Sequence, residues 1–367
     1  MISNQWISIQ KALLNNYDIS QEIRNITMYN DIDNIGYVLE LVYNDISDIR
    51  GKMPLKGGET LELILTKENK KFKKEFILYD LKTQAVDENN FYLKLSFISK
   101  SSFFLGINRI NKSYYNTVSN IIKTWISVEG TTSQKFQVLI PGWTKSKAIK
   151  YLLNNFTKDY LFYETNSSYK LESLENLIID SEYDDFVFSS KNPYYSKLIL
   201  DINYKQSFNS LDDSYTNIYN RNIYSYNPNT KSFEGINYNV KEIQESYNTF
   251  GSGRNYNEDI TNNIFSKNIN VPYTSNFASF NYQPYKLFNK SYEMLVYGDI
   301  ELEVGKTIRL DIKERFSNNL NNLDSGLYLI TKIAHHISSG EYLCKLQIEK
   351  NAPQKDLESN IYKKAIM

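Results

Sequence analysis

Residues 328–350 read YLITKIAHHISSGEYLCKLQIEK and contain both histidines and the only cysteine of the chain. Successive side chains of a β-strand point to opposite faces of the sheet. This period places His335 on an apolar face and His336 on the opposite face. Ser338, Ser339 and Gly340 then supply the polar and glycine residues that are typical of a tight turn. The stretch therefore predicts a β-hairpin in which the two histidines point apart.

The second strand of this hairpin contains the cysteine. Cys344 falls on one face with Tyr342, Leu346 and Ile348, so we interpret it as a small core residue. A zinc site needs about four ligands that converge on one point. Histidines on opposite faces and a single cysteine do not provide them, so the sequence predicts a structural hairpin, with no metal site and no cofactor.

The composition sets limits on the class of protein. The chain has 367 residues, of which 41% are hydrophobic. This length is typical of two or three domains. Its 42 basic and 42 acidic residues cancel, so we expect no direct nucleic-acid binding. The opening MISNQWISIQ lacks an export signal, and no apolar run approaches the roughly 20 residues of a membrane anchor. One cysteine cannot form an internal disulfide, which fits assembly in a reducing cytoplasm.

The first hundred residues alternate in the manner of strands. ETLELILTK, residues 59–67, and FYLKLSFIS, residues 91–99, both have a period of two. In the first of these, one face comprises Leu61, Leu63 and Leu65, and the other comprises Glu62, Ile64 and Thr66. KENKKFKKEF, residues 67–76, is predicted to be a solvated hairpin tip because of its many charges. Residues 1–112 are therefore predicted to form an antiparallel β-barrel domain.

The period changes to that of helices in the next region. KSYYNTVSNIIKTWI, residues 112–126, and TKSKAIKYLLNNF, residues 144–156, both have apolar residues at helical spacing. Pro141 and Gly142 are predicted to break the strand before the second helix, which Thr144 is placed to cap.

A hairpin and a short helix are predicted to complete this region in LFYETNSSYKLESLENLI, residues 161–178. Residues 113–192 are thus predicted to form an α/β module with two amphipathic helices.

Strand patterns return in the last third of the chain. They predict a second β-domain, also of the barrel type, from residues 193–236 and 284–352, interrupted by an insertion or long loop at residues 237–283. Residues 353–367 form a C-terminal tail. The fold class predicted is therefore α+β, mainly antiparallel β.

Motifs of known enzyme classes are missing from the sequence. HExxH, GxSxG, a complete phosphate-binding loop, paired CxxC and a calcium-binding loop do not occur. The acidic pairs Asp184–Asp185 and Asp212–Asp213 are adjacent, whereas glycoside hydrolysis needs two carboxylates across a sugar. We interpret them as solvated loop residues and predict no catalytic residues.

Several segments, taken in order, resemble the central baseplate hub protein of contractile-tailed, T-even-like bacteriophages. Residues 26–65, from ITMYN to LELIL, resemble the opening barrel of that family. LIPGWTKSKAIKYLLNNF, residues 139–156, resembles its "IPxW" segment and the helix after it. YGDIELEVGKTIRLDI, residues 297–312, and the hairpin at 328–350 resemble its closing barrel. The shared order of these segments carries the resemblance, and Ser168 stands where the family often has glycine.

This resemblance implies a two-barrel structural protein that is related to the hubs of type VI secretion spikes. Three copies would form a ring with pseudo-six-fold symmetry, because each copy contributes two barrels. The implied partners are further copies of the chain, the tail tube protein, a separate central spike protein and the surrounding wedge proteins. The implied location is the baseplate of a virion that is assembled in the host cytoplasm.

Two strands and the module are predicted to supply interface residues. Unpaired strand edges are often satisfied by a neighbouring chain, so we expect inter-chain sheet contacts from strands 59–66 and 305–312. Trp143 and Phe156 are expected to anchor the module. The complete set of predicted interface or structural residues is Thr60, Glu62, Ile64, Thr66, Pro141, Trp143, Phe156, Thr307, Arg309 and Asp311.

Two other functions are compatible with the sequence. A hub with cell-wall hydrolase activity would need carboxylates that converge in a cleft. A carbohydrate-binding tail-fibre protein would share the aromatic composition, but fibres usually contain repeats, and the sequence has no internal period.

Overall fold

The structure is a computed structural model. It describes residues 7–46, 48–85, 91–157, 160–173, 176–177, 182–187, 198–206, 220–227, 231–238, 261–265, 290–312, 324–338 and 340–350. These residues are mainly antiparallel β with a few short helices, as the sequence predicts. Among them, no helix is long and apolar enough to cross a membrane.

The strands and helices are numbered in chain order. The strands are β1 Ser8–Leu14, β2 Tyr17–Asp18, β3 Ile23–Asp31, β4 Val38–Asn44, β5 Thr60–Lys67, β6 Lys70–Ala85, β7 Phe91–Ser99, β8 Arg109–Thr117, β9 Val128–Glu129, β10 Lys135–Thr144, β11 Tyr160–Glu164, β12 Tyr169–Ser173, β13 Glu182–Val187, β14 Ile199–Gln206, β15 Asn220–Asn227, β16 Ser232–Tyr238, β17 Thr261–Phe265, β18 Lys290–Tyr297, β19 Thr307–Asp311, β20 Gly326–Ser338 and β21 Glu341–Lys350. The helices are α1 Ile49–Lys52, α2 Lys100–Ile107, α3 Val118–Lys123 and α4 Lys145–Phe156.

One sheet contains 13 of the 21 strands that the structure describes. Its main path runs β14-β18-β21-β20-β3-β4-β7-β6-β5-β1-β2, and β19 joins it through β20 while β13 pairs with β19. Three smaller sheets comprise β10-β8, β11-β12-β9 and β16-β15-β17.

The hairpin at the carboxyl end confirms the period-two prediction. β20 and β21 are antiparallel partners. His335 is only 2% exposed, whereas His336 on the next position is exposed. Cys344 is completely buried, and Gly340 has a φ of 99° at the turn, a conformation that favours glycine. The histidines therefore point to opposite faces, and the cysteine is a core residue.

The first β-region also follows its predicted alternation. Leu61, Leu63 and Leu65 are completely buried on one face of β5. The opposite face is less polar than predicted, because Ile64 is also buried at 7% exposure. In the next predicted strand, Leu93, Leu95 and Phe97 are buried in the same way.

The two halves of the main sheet meet at a seam between β3 and β20. These strands pair antiparallel from Asn25 opposite Ser338 to Asp31 opposite Lys332. A backbone hydrogen bond from Ile32 N to Thr331 O at 2.9 Å extends the contact. Early and late parts of the chain therefore share one hydrogen-bonded sheet, and their apolar side chains form one continuous core.

A second core lies under the helices. Residues from α2, α3, α4, β8, β10 and the small β11-β12-β9 sheet pack together in it. α4 begins after Thr144, whose side chain accepts a hydrogen bond from Lys147 N at 3.4 Å, as predicted for an N-cap. α2 supplies Leu105 to this core, and the predicted domain boundary at residue 113 lies within strand β8.

Two local predictions for the module are wrong. The helix predicted over residues 112–126 begins only at Val118, because Tyr114 and its neighbours form strand β8, paired with β10. Pro141 and Gly142 do not end β10, since the strand continues to Thr144 through a shift of register between Pro141 and Trp143.

The predicted insertion at residues 237–283 falls largely outside the described residues. Within it, β17 (Thr261–Phe265) pairs in parallel with β15, and the end of β16 reaches Tyr238. The C-terminal tail at 353–367 lies entirely outside the described residues, as do Asp212 and Asp213. Asp184 and Asp185, which were predicted to lie in a loop, belong to strand β13.

Candidate functional site

The predicted interface residues on β5 lie on a strand of the main sheet that is paired on both sides, with β1 and with β6. Thr60, Glu62 and Thr66 are partly exposed on the outward face. Glu62 accepts charged hydrogen bonds from Lys11 at 2.7 Å and from Lys73 at 3.1 Å, and these bonds hold the pKa of its carboxyl below the usual value. The side chains thus form a paired, outward-facing polar row.

The predicted interface residues on β19 differ in their exposure to solvent. Thr307 is buried, and its hydroxyl donates to Leu177 O at 2.8 Å. Arg309 is exposed and lies 3.3 Å from the carboxylate of Asp311. Thr307 therefore stabilises a contact within this chain, whereas Arg309 and Asp311 face outwards.

The predicted sheet extension into a neighbouring chain is wrong for both strands. β5 pairs with β1 on one side and with β6 on the other. β19 pairs in the same way with β20 and with β13. Because partner strands within the chain cover both edges, neither strand has an edge to which a second chain can add a strand.

The two predicted aromatic anchors pack within the module itself. The Phe156 ring lies 4.9 Å from the Phe136 ring and 5.9 Å from the Tyr151 ring, centroid to centroid. Trp143 is partly buried and makes an edge contact with Tyr151 at 4.9 Å. Pro141, by contrast, is exposed at the bulge of β10.

A buried polar junction links the module to the main sheet, and the sequence analysis missed it. Lys74 Nζ lies 2.7 Å from a carboxylate oxygen of Glu164, and these side chains are only 9% and 5% exposed. The second carboxylate oxygen accepts from Ser99 Oγ at 2.5 Å and from Tyr37 N at 3.1 Å. Lys74 also donates to Thr165 O at 2.8 Å. Three segments of the first half are thereby joined to the β11–β12 hairpin.

Local turn chemistry presents this hairpin to the junction. Thr165 N donates to Ser168 O at 2.8 Å, and the Thr165 hydroxyl donates to the same oxygen at 2.9 Å. This tight turn places Glu164 and Asn166 on either side of Thr165. Its double use of side chain and backbone is typical of Ser and Thr in turns.

The same turn also reaches the second half of the chain. Asn166 Nδ2 donates to Ile300 O at 2.8 Å, and Asn166 N donates to a carboxylate oxygen of Glu303 at 3.2 Å. On the other side, Tyr37 OH donates to Asn166 Oδ1 at 2.9 Å. The turn therefore contacts both the segment just before β4 and the connection between β18 and β19.

Burial governs the electrostatics of the junction. Desolvation lowers the pKa of the Lys74 ammonium, while the adjacent Glu164 carboxylate acts in the opposite direction. The ammonium also lies 4.4 Å from the centroid of the Tyr37 ring, which favours the charged form. An ion pair in such a place stabilises little by itself, but loss of one partner leaves an uncompensated buried charge.

The histidine and cysteine of the C-terminal hairpin lie close together in the core. His335 Nδ1 is 3.2 Å from Cys344 Sγ and 2.9 Å from Tyr342 OH. Burial raises the pKa of the thiol to about 12 and lowers the pKa of the imidazole to about 4. Nucleophilic cysteines need the opposite shift of the thiol, so both groups are neutral core residues. Nowhere in the described part of the chain do three or more His, Cys, Asp or Glu residues group as a metal site would require.

Comparison of the chain with known proteins gives matches only in structure. Neither a family model nor the sequence of a curated protein matches it. The 43 kDa tail protein of prophage MuSo2 from Shewanella oneidensis is 10% identical, with a TM-score of 0.62 over 92% of this chain and 96% of that protein. A tail protein from Neisseria meningitidis is also 10% identical, with a TM-score of 0.61 over 94% and 96%.

A component of the Escherichia coli type VI secretion system is similar as well. It is 8% identical, with a TM-score of 0.50 over 96% of this chain and 77% of that protein, and it is described as structurally similar to the T4 bacteriophage tail proteins gp27 and gp5. Such low identities with such high coverage establish a common fold. The chain therefore has the fold of these tail and secretion proteins, which confirms at the level of fold the resemblance found in its sequence.

Proposed function

We propose that this protein is the structural hub of a contractile phage tail. Three copies form a ring that joins the six-fold tail tube to a three-fold central spike and from which the tube begins to assemble. The protein is then a component of the virion baseplate that assembles in the host cytoplasm.

The seam between β3 and β20 is the observation that carries this proposal. It joins strands from the first and last parts of the chain into one antiparallel sheet. A ring of three such chains would present six strand groups at nearly equal spacing, which matches a six-fold tube while three-fold symmetry remains for a spike. The likeness to two tail proteins over more than nine-tenths of each chain supports the same conclusion.

The domain plan belongs to this proposal. Residues 1–112 form the first tube-like unit, and residues 193–236 with 284–352 form the second. The module at 113–192 lies between them and braces the ring from outside, where wedge proteins surround it. The junction at Lys74 and Glu164 provides a physical means for this bracing, because it fixes the module on the sheet.

Side chains rather than strand edges are the proposed contacts on β5 and β19. Thr60, Glu62, Thr66, Arg309 and Asp311 keep partly or fully exposed side chains although their strand edges are covered. We assign them to contacts with neighbouring copies, the tube or the spike.

Native mass tests the proposal most directly. Sedimentation velocity of the full chain at several concentrations, with negative-stain images of the same fractions, should show a three-chain ring with a six-fold outline. A strict monomer that stays monomeric after a separately expressed candidate spike is added would overturn the proposal. Assembly only after that addition would support a ring that forms on its spike.

A further inference from the structure

The stretch from the start of α2 to the end of α4 is cationic, and the chain does not neutralise it. Residues 100–156, all of which the structure describes, contain eight basic residues and one acidic residue, a net charge of +7. Lys100 lies 2.6 Å from Glu75. The other seven cations form no ion pair with any residue that the structure describes. Surplus charge of one sign attracts a partner of the opposite sign.

One of these cations lies beside the β-bulge in the ribbon formed by β8 and β10. The bulge comprises Pro141, Gly142 and Trp143. Apart from its chain neighbours, no atom of the described residues lies within 4 Å of the point that a Cβ of Gly142 would occupy. The exposed Arg109 donates through Nη1 to Gly142 O at 3.1 Å. Leu139, two residues before Pro141, is 64% exposed. The bulge is therefore an open surface that adjoins a guanidinium group.

Helix α4 begins directly after the bulge and adds two exposed lysines to this surface. Lys147 Nζ lies 5.2 Å from the centroid of the Trp143 ring, which is a cation–π contact. The Tyr151 ring makes an edge contact with the same indole at 4.9 Å. Lys150 is exposed three residues after Lys147, so the two side chains leave from one face of the helix. We call Arg109, Trp143, Lys147, Lys150 and Tyr151 the bulge cluster.

The position of the lysines works against the stability of α4. Lys145 and Lys147 lie in its first turn, which contains no acidic residue. Cations are unfavourable at the amino end of a helix, where the backbone dipole is positive. Residues that break a local rule without compensation in the fold are candidates for function. These lysines therefore fit a contact with an external anion better than a role in the fold of this chain.

The surroundings of the bulge cluster favour a protein as the source of this anion. Trp, Tyr and Arg side chains close together are typical of the centre of a protein–protein interface. The Trp143 indole already contacts Tyr151 and Lys147, so it is not free to stack on a nucleic-acid base. Apolar side chains of α4, such as Ile149 and Leu152, are buried in the module core. The helix therefore cannot insert them into a membrane in the manner of an interfacial helix.

A second copy of the chain is a poor source of the anion. Carboxylates on the outward face of the main sheet already pair with lysines of the same sheet; they are Asp31, Glu40, Glu62 and Glu293. We propose that the bulge cluster binds an acidic segment of a different protein, whose carboxylates pair with Arg109, Lys147 and Lys150. This inference goes beyond the proposed ring, because every residue of the cluster belongs to one chain.

An acidic probe peptide tests this contact. The probe is a fluorescein-labelled peptide of repeated Glu-Glu-Leu units, and its fluorescence anisotropy is measured as the full chain is added. The test variant is Lys147→Glu/Lys150→Glu. The matched control, Lys56→Glu/Lys71→Glu, makes the same change of total charge at two exposed lysines that also form no ion pair with described residues. Lys147→Arg/Lys150→Arg keeps both cations, and circular dichroism checks that each variant is folded.

The expected result is saturable binding by the wild type that weakens as the salt concentration rises. The dissociation constant should rise about tenfold or more in the test variant and about twofold or less in the control, and the arginine variant should still bind. A wild-type protein that does not bind the probe would overturn the proposal. An equal loss in the test variant and the control would also overturn it, because the probe would then respond to total charge alone.

Two further measurements distinguish other sources of the anion. Duplex DNA or phosphatidylglycerol vesicles that bind more tightly than the peptide, and lose their binding in the test variant, would assign the cluster to phosphate groups. Self-association in sedimentation velocity that the test variant abolishes would assign it to a second copy. Either result would overturn the proposal. A strictly monomeric wild type that binds the probe would support this contact and count against the proposed ring, so the two proposals can fail separately.

Discussion

Removal of the Lys74 ammonium probes the buried junction directly. Lys74→Met keeps an apolar stem of similar length and deletes the charge that lies 2.7 Å from Glu164. Loss of one partner of a buried ion pair costs about 3–5 kcal/mol of stability. Ser99 and Tyr37 continue to donate to the Glu164 carboxylate. We therefore expect the free energy of unfolding to fall by about 3 kcal/mol, at the lower end of that range.

An exposed ion pair in the same region provides the control. Lys70 pairs with Glu301, and the two side chains are 42% and 47% exposed. Solvent-exposed pairs contribute about 0–1 kcal/mol. Lys70→Met should therefore lower the free energy of unfolding by less than about 1 kcal/mol. Since both pairs join β6 to a later segment of the chain, burial is the main difference between them.

Urea unfolding followed by far-ultraviolet circular dichroism measures both effects. The midpoint should fall clearly for Lys74→Met and only slightly for Lys70→Met, with an unchanged dependence on urea. Equal small losses in the two variants would refute the reasoning, because they would show that the Lys74 charge is not desolvated in the folded protein.

Three further outcomes are expected. The pKa of His335 is about 4 in the fold against an ordinary value of 6.5. The unfolded chain therefore binds the proton first as the pH falls, and stability should decrease by about 2 kcal/mol between about pH 7.5 and pH 5. Urea unfolding at both pH values should show a smaller decrease for His335→Gln, and an equal decrease would contradict the assignment. Cys344, fully buried with a raised pKa, should resist iodoacetamide in the native protein and react after unfolding, as mass spectrometry would detect; complete labelling under native conditions would disprove its burial. Phe156 packs on Phe136, so its replacement by Ala should lower the free energy of unfolding by about 3 kcal/mol. Leu139→Ala on the exposed ribbon should change it by about 0.5 kcal/mol or less, and similar values for the two variants would refute the packing described for the module.

Local periodicity was sufficient to predict the secondary structure of segments that bury one face in the core. The hairpin of β20 and β21, the alternation in β5 and the capped helix α4 all follow from spacing and a few turn or cap residues. These signals reside within about ten neighbouring residues, so a single sequence contains them in full.

Local patterns gave wrong predictions in two situations. In one, a segment fits both the helical and the strand period; in the other, the many charges of a segment hide the position of one buried residue. Tyr114 and Val118 have helical spacing, yet Tyr114 lies in a strand because β10 pairs with it. Lys74 was assigned to a solvated tip on account of its charged neighbours. Its position between Phe72 and Phe76, two residues from each, was the available signal that it lies on the buried face.

Strand edges could not be predicted from local patterns, because pairing is a property of distant segments. β5 has its outer partner in β1, about 50 residues earlier in the chain, and β19 has a parallel partner in β13, more than 120 residues earlier. The sequence shows that each segment is a strand. It does not show which edges remain uncovered, so the predicted inter-chain pairing was assigned to strands whose edges are already used.

Because of the seam, completion of the main sheet during folding depends on a strand near the carboxyl end of the described chain. β3 receives its second partner only from β20, which lies near the carboxyl end of the described chain. Until β20 is in place, β3 presents an unpaired edge that favours aggregation. Contacts between segments so distant in sequence form late, because the loss of chain entropy precedes any gain. In a hub, this order would be useful, since the two tube-like halves would acquire their fixed spacing at the final step, and only a fully folded chain could then enter a ring.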